Sequence, residues 1–239
     1  MATAKPSSPV GPFAGFPADF FAFFEELAAN NSRAWFADNK QRYQTEVVDA
    51  MVRFIVAMGP LLRKVSPHFV ADPRPNGGSM FRIHRDVRFS KDKRPYKEHA
   101  ACHFRHAAAR DAHAPGFYVH LAPDEIMYGG GIWIPPGDAL DDIRAAIDRD
   151  RAGWTRVVTD KRLVETFGGV TGEGLKRPPR GYNEGHPHID DLKRKTFFVI
   201  RKSGPKAARS PDFVGEVAAA FRDATPLMRF IAGALGQPF

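Results

Sequence analysis

The chain has 239 residues, of which 43% are hydrophobic and 26% are charged, and its formal net charge is +8. This hydrophobic content suffices for a buried core and excludes a disordered chain. The single cysteine excludes a disulfide framework and any metal site that needs several cysteines. No apolar run approaches the roughly 18 residues that span a bilayer, and the first residues lack a secretory signal, so we expect a cytoplasmic protein with no membrane partner.

Helices are predicted in the N-terminal part of the chain. Residues 1–12 are rich in Pro, Ser and Gly, which predicts a flexible tail. A helix is expected from Pro17, because proline fits the first helical turn and phenylalanines follow at helical spacing. A second helix is expected after Ser32, a residue type that caps helix N-termini. It should run to about Met58, where a Gly-Pro pair is expected to interrupt it.

The hydrophobic period changes to that of a strand at Ser79. Apolar and charged residues alternate over residues 79–89, which predicts a strand with one apolar and one charged face. Arg85 falls on the apolar side of this alternation, so a bulge or a buried ion pair is expected there. Residues 90–95 are expected to form a turn.

Several further strands are predicted from alternating apolar residues. These segments are residues 100–104, 117–121, 126–128, 132–134 and 196–200. The glycine run at residues 129–131 separates two of them, so the sequence predicts either two segments joined by a bend or one bulged strand. Such a glycine run is typical of a place where another backbone or a ligand approaches closely.

The last part of the chain predicts a long loop and more helices. Residues 168–188 are rich in glycine, proline and basic residues, and loops of this length are usually functional or disordered. Helices are expected from Asp138 and from residues 210–212, with a restart or kink at residues 225–226. Helices, then short successive strands, then helices predict an α+β fold with a mainly antiparallel sheet, flanked by N-terminal and C-terminal helices. We expect a single domain over residues 13–239.

The positive charge is concentrated in two segments. Residues 74–110 and residues 176–209 each contain ten Lys or Arg and three Asp or Glu, so each carries +7. The rest of the chain therefore carries −6. Basic residues gathered in segments indicate an anionic partner, although a role in solubility alone is the simpler alternative.

Residues 81–97 form the densest basic stretch and predict an anion site. On a strand, Arg82, Asp86 and Arg88 would share one face, and a carboxylate between two guanidinium groups would be ionised and would orient both. Arginine suits bidentate binding of phosphate or carboxylate, and a tyrosine ring can stack on a base. The residues expected to bind the ligand are Arg82, Arg85, Arg88, Lys93, Tyr96, Lys97, Arg180 and Tyr182.

Arg180 and Tyr182 belong to the second basic segment. We hypothesise that their loop folds over the first segment and completes a two-sided anion pocket.

Asp86 and His120 are weak candidates for a catalytic role, and whether the protein is an enzyme stays open. Asp86 is better suited to orienting the arginines, because their charges lower a carboxyl pKa. No metal or cofactor is expected, because zinc-ligand, dinucleotide and P-loop patterns are all missing from the sequence.

One family resemblance emerges from these segments. RDVRFSKDKRPYK, at residues 85–97, resembles the signature of a bacterial and fungal family of conserved hypothetical proteins, a domain of unknown function. The same pattern is matched at residues 13–17, 31–43, 115–125, 129–135 and 175–195. The resemblance extends from Phe13 to about Ile200, and residues 106–114 depart from it. It implies a single-domain α+β protein and brings no activity, cofactor or catalytic residue.

Three functions are compatible with the sequence. The first is binding of a phosphorylated or carboxylate small molecule, with nucleotides included, in a basic pocket. The second is a nucleic-acid-binding module in which Tyr96, Tyr118 and Tyr182 stack on bases. The third is a structural or interaction protein in which the Arg–Asp network braces the sheet. The interleaving of basic residues with Asp and Pro favours the pocket over an open basic stripe. The oligomeric state stays open.

Overall fold

The first helix carries a cluster of phenylalanines that begins the core. The computed structural model describes residues 11–108 and 114–239 of the chain. Helix α1 (Ala18–Ala29) follows Pro17, as predicted, and buries four phenylalanines together with Leu27. Residues 1–10 of the predicted tail, and residues 109–113 of the segment expected to depart from the family pattern, lie outside the described residues.

The second predicted helix is a succession of short helical pieces that leads into one long helix. The pieces are α2 (Arg33–Asp38), α3 (Lys40–Arg42), a π-helical turn (Tyr43–Val48) and α4 (Asp49–Val65). Ser32 caps the first piece, since its Oγ accepts a hydrogen bond from the backbone N–H of Trp35 at 3.2 Å. The interruption expected after Met58 is wrong, because α4 continues through Pro60. This proline cannot donate to the Val56 carbonyl, but Val56 is 53% exposed and water can replace the donor.

Within the described residues the sheet has four strands, and each neighbouring pair is antiparallel. The strands are β1 (Ala100–Arg105), β2 (Gly116–Leu121), β3 (Ile126–Ile132) and β4 (Phe197–Ser203), in this order across the sheet. β3 runs through the glycine run without a break. The predicted α+β class with a mainly antiparallel sheet is confirmed.

The strand predicted over residues 79–89 is wrong beyond its first residues. Residues 79–83 follow the outer edge of β1, where the N–H of Phe81 donates to the Ala101 carbonyl at 2.9 Å. The chain then turns away from the sheet. Residues 84–95 form a protruding segment, which we call the basic loop, and a bridge between His84 and Tyr96 closes its base.

The charged residues themselves explain why the strand ends. Asp86 accepts a hydrogen bond from the backbone N–H of Arg88 at 3.2 Å, and Asp92 does the same for Arg94 at 3.0 Å. Such local bonds offer the backbone an alternative to strand pairing. The segment therefore forms local turns and not a strand, although its apolar and charged residues alternate.

The C-terminal half supplies the remaining helices. They are α5 (Gly137–Arg149), α6 (Arg151–Val158), α7 (Lys161–Phe167), α8 (Ile189–Leu192), α9 (Pro205–Ala208), α10 (Phe213–Asp223) and α11 (Thr225–Ala234). The restart predicted at residues 225–226 is the junction between α10 and α11. In the part of the chain that the structure describes, no helix has the length and apolar composition needed to cross a membrane.

Helices cover one side of the sheet. Tyr128 of β3 faces α10, and its hydroxyl donates to Glu216 at 2.5 Å. Gly130 faces the same side, where a Cβ would meet Phe117 of β2 and Met228 of α11. Alternate strand residues point to the opposite side of the sheet. We call this opposite side the open face.

Gly129→Ala is expected to lower the free energy of unfolding by about 1–3 kcal/mol, the usual range for overpacking. The reason is that a Cβ here would overlap the backbone carbonyl of Val199 in β4. The measurement is urea unfolding followed by circular dichroism. Gly137→Ala is the matched control, because a Cβ at the start of α5 meets nothing within 4 Å, and it should not destabilise the protein. Equal stability of the two variants would contradict the close approach of β3 and β4.

Candidate functional site

The open face is built from three cross-strand rows of residues. From one end of the strands to the other, the rows are Ala101–His120–Met127–Lys202, His103–Tyr118–Gly129–Ile200 and Arg105–Gly116–Gly131–Phe198. The glycines leave the middle of the face without side chains, while larger residues rise on both sides. A cavity of about 820 Å³ results, which is a typical volume for a small-molecule site.

We call this cavity the trough. Its lining includes Phe81, Lys97, His103, Tyr118, Trp133, Phe198 and Lys202. Gly131 is required in its floor, because φ is 151° there and a Cβ would overlap Phe198 of β4. The depth of the trough is therefore set by the backbone.

Two lysines supply positive charge at one end of the trough. The ammonium of Lys97 donates to the Arg82 carbonyl at 3.0 Å and lies 5.3 Å from the centre of the Phe81 ring. Burial lowers the pKa of Lys97, and the charge of Arg82 lowers it further. Lys202 is more exposed and forms an ion pair with Glu125 at 2.5 Å. The half-buried Lys97 is thus the less solvated of the two cations.

Histidines and a tyrosine supply neutral polar groups beside the lysines. The rings of His99 and His120 lie 4.1 Å apart, and Nδ1 of His120 lies 3.2 Å from the Tyr118 hydroxyl. Burial lowers the pKa of His99 to about 4, with smaller effects from His120 and Lys97, and lowers the pKa of His120 as well. Burial raises the pKa of Tyr118 to about 12. This cluster is therefore uncharged near neutral pH.

His103 is the most enclosed polar group of the trough. It is 9% exposed, its ring lies over Gly116, and its Nδ1 atom is buried without a hydrogen-bond partner. Burial lowers the pKa of His103 to about 4, and the charge of Arg105 contributes. Among the described residues, no group of three or more His, Cys, Asp or Glu side chains is placed to hold a metal ion.

The basic loop uses three of the eight predicted anion-binding residues for internal contacts. Arg88 pairs with Asp86 at 2.7 Å, and Arg85 pairs with Asp92 at 2.7 Å. The ammonium of Lys93 donates to the Val87 carbonyl at 3.0 Å. Arg85 thus forms the ion pair that its place in the alternation required, although the pair is only partly buried.

Asp86 orients an arginine and is poorly suited to act as a base. The hydrogen bonds from the side chain and the backbone of Arg88 hold the pKa of Asp86 at about 2. A carboxylate of this kind is ionised throughout the physiological range and has little tendency to accept a proton. His120, the other weak catalytic candidate, lies in the trough row that ends at Lys202.

The expectation that Tyr96 stacks on a base is wrong. Its ring is 6% exposed and packs against Phe36 with a centroid distance of 4.2 Å. Asn31, between α1 and α2, fixes the same residue from the backbone. Its side-chain amide donates to the Tyr96 carbonyl at 3.1 Å and accepts from the Tyr96 N–H at 3.1 Å. Tyr96 therefore anchors the base of the basic loop in the core.

Arg180 and Tyr182 are not brought to the basic loop. Their segment pairs with the other edge of the sheet, through a bridge between Thr171 and Phe198 of β4. His186 fastens it to α5 by a contact with Asp148 at 3.1 Å. The edges at β1 and β4 are about 14 Å apart, three times the strand spacing. The two basic segments therefore border opposite sides of the open face: Lys97 of the first and Lys202 of the second line the trough, whereas Arg180 and Tyr182 do not.

Most of the trough was not predicted as a site. Trp133, Phe198 and Lys202 were recognised at most as parts of strands or as basic residues. Alternation predicts that a strand has two faces, but it does not indicate which face the helices leave open. The glycine run was the signal available, because it predicted a close approach of another backbone or of a ligand.

Folding is expected to depend on pH through His99 and His103, whose pKa values of about 4 lie below the ordinary 6.5. Between pH 6.5 and 4 the unfolded chain binds more protons than the folded one, so the free energy of unfolding falls as the pH falls. The slope is at most about 1.4 kcal/mol per pH unit for each histidine. His99→Gln and His103→Gln should each flatten the profile measured by urea unfolding between pH 4 and 7. Unchanged slopes in both variants would show that the two histidines are not buried as described.

A comparison with known protein families gives one match. A family model described as "Conserved hypothetical protein (DUF2461)" matches residues 19–230, from the start of α1 into α11. No curated protein and no solved structure matches the chain. Because the family model covers most of the sequence, the chain belongs to this family of conserved hypothetical proteins, as the resemblance predicted.

Proposed function

We propose that the protein binds an organic anion of small-molecule size in the trough, where Lys97 on the β1 side contacts the charged group and Lys202 on the β4 side adds to the positive potential. The ligand class is the one that the sequence predicts, a phosphorylated or carboxylate small molecule. The proposed site differs from the expected one, because it lies on the open face of the sheet and not on the basic loop. Of the residues expected to bind the ligand, Lys97 lines the trough. The observation that carries the proposal is a cavity of about 820 Å³ with aromatic walls and lysines at one end.

The electrostatics of the trough favour an anion. His99, His103 and Tyr118 are uncharged near pH 7, so formal charge comes from the two lysines. Lys202 already has Glu125 as a partner, and an incoming anion would compete with that carboxylate. Lys97 donates to a neutral carbonyl, and a charge-assisted bond to an anion would be stronger. Its partial burial strengthens the attraction further, because the local dielectric is lower than in water.

Lys97→Gln and Lys202→Gln are each expected to weaken binding of 1-anilinonaphthalene-8-sulfonate, an organic anion with an aromatic body. Loss of a charged hydrogen bond of about 1.5–3 kcal/mol predicts a loss of roughly tenfold or more in affinity for Lys97→Gln. The smaller effect is expected for Lys202→Gln, because that lysine is better solvated. The measurement is a fluorescence titration of the folded protein.

Arg88→Gln is the matched control for this experiment. It removes the same charge from the basic loop, outside the trough, and should leave the dissociation constant unchanged. Unaltered binding in the Lys97→Gln, Lys202→Gln double variant would overturn the proposal. Loss of binding in Arg88→Gln alone would instead place the anion site on the basic loop.

A second candidate function rests on the exposed tip of the basic loop. Phe89 is 95% exposed, and the guanidinium of Arg88 lies 5.8 Å from the centre of its ring. Within the described residues, the side chains of Arg82 and Lys91 form no hydrogen bond or ion pair. An exposed aromatic ring flanked by cations is suited to stack on a base and to contact phosphates of a single strand. This keeps the nucleic-acid alternative, with Phe89 in the stacking role expected of Tyr96.

Phe89→Ala is expected to weaken binding of an oligothymidylate by about 1–3 kcal/mol, the usual value of one stacked base. Lys91→Gln should reduce the salt slope of the binding constant by about 0.7, the value for one phosphate contact on a single strand. The measurement is fluorescence anisotropy between 25 and 200 mM salt. Val56→Ala, an exposed apolar residue on α4, is the control. Wild-type protein that binds no oligothymidylate at 25 mM salt would rule this function out.

A further inference from the structure

The trough is polarised along the direction of its strands. The row at one end terminates in Lys202, and the row at the other end contains Gly131 and Phe198. Arg105 begins this second row, but its guanidinium donates to the Gly78 carbonyl at 3.4 Å and does not line the trough. Trp133 follows β3 directly and lines the trough at this second end, with its ring centre 5.2 Å from that of Phe198. One end is therefore cationic and the other aromatic.

The separation of the two ends sets a length for the ligand. Lys202 and Phe198 are four residues apart on β4, which corresponds to about 14 Å of extended strand. The row between them consists of His103, Tyr118, Gly129 and Ile200. These side chains carry no charge near neutral pH, since the pKa of His103 is lowered and that of Tyr118 is raised. A group lying in the middle of the trough would therefore contact glycine backbone and uncharged side chains.

The backbone at the aromatic end is strained. Ile134 has a φ of 45°, a conformation that a β-branched side chain rarely adopts. Ile134 is 55% exposed and Trp133 is 51% exposed, so the strained turn leaves two large apolar side chains at the surface beside the trough. Strain of this kind is found where the surrounding structure imposes it, and it clusters at ligand sites.

From this polarity we infer that the ligand is an elongated amphipathic anion with an apolar tail. Its anionic group lies against Lys97 at the lysine end of the trough, and its tail follows the glycine floor towards Phe198 and Trp133. The inference rests on the proposed function, because it takes the anion site at the lysines as given. The inference adds that the rest of the ligand is apolar and that it extends along the strands, away from the lysines.

The test uses the straight-chain carboxylates hexanoate, octanoate and decanoate, each measured by competition with 1-anilinonaphthalene-8-sulfonate. Each added methylene that enters the trough is expected to tighten binding about 3- to 4-fold, which corresponds to about 0.8 kcal/mol per buried CH₂. Trp133→Ala should weaken decanoate about tenfold and leave hexanoate unchanged, because only the longer tail reaches this residue. Trp133→Gln, which keeps a larger side chain, should do the same if the alanine variant folds poorly.

Val56→Ala is the control, since it removes exposed apolar surface of α4 outside the trough. It should leave the dependence on chain length unchanged. Carboxylates that bind with equal affinity at all three lengths, and lose affinity in Lys97→Gln, would overturn the amphipathic ligand and leave the anion site standing. Decylamine that competes as well as decanoate, or carboxylates that do not compete at all, would overturn the anion site itself.

Discussion

The close approach of β4 to β3 at the glycine run is the constraint on which the rest of the structure depends. Side chains at Gly129 and Gly131 would overlap the β4 backbone, and a side chain at Gly130 would meet Phe117 and Met228. These three glycines therefore allow β3 and β4 to pair and allow the helices to pack against one side of the sheet. On the other side they leave the floor of the trough without side chains. The packing of the core and the depth of the trough thus both depend on the glycine run.

The distribution of charge acquires a physical meaning from the contacts. In the basic loop, aspartates neutralise Arg85 and Arg88, so much of the positive charge of that segment braces local turns. The two lysines of the trough differ from them, because Lys97 donates to a neutral carbonyl and Lys202 is exposed beside a single glutamate. Net charge alone is thus a poor guide to where an anion would bind, since the partners of each cation decide its availability.

The sequence predicted the architecture better than the site. Helix caps, apolar spacing and alternation located the main helices and the four strands, because each of these signals is local. The alternation over residues 79–89 predicted a strand that is longer than the observed one. Asp86 and Asp92 each lie two residues before an arginine, and they favour turns by accepting its backbone N–H. Tyr96 was assigned to a ligand because nothing local indicates that Phe36, sixty residues earlier, covers its ring. The trough depends on which face of the sheet the helices cover, and that is decided by contacts between distant segments.

Asn31 connects the helical layer with the trough. It holds both backbone groups of Tyr96 and also donates to Glu98 at 2.9 Å, so it fixes the residues on either side of Lys97. Hydrogen bonds therefore join the junction of α1 and α2 to the segment that carries the half-buried ammonium, although the two are more than sixty residues apart in sequence. The position of the Lys97 ammonium in the trough therefore depends on a side chain that the N-terminal helical layer supplies.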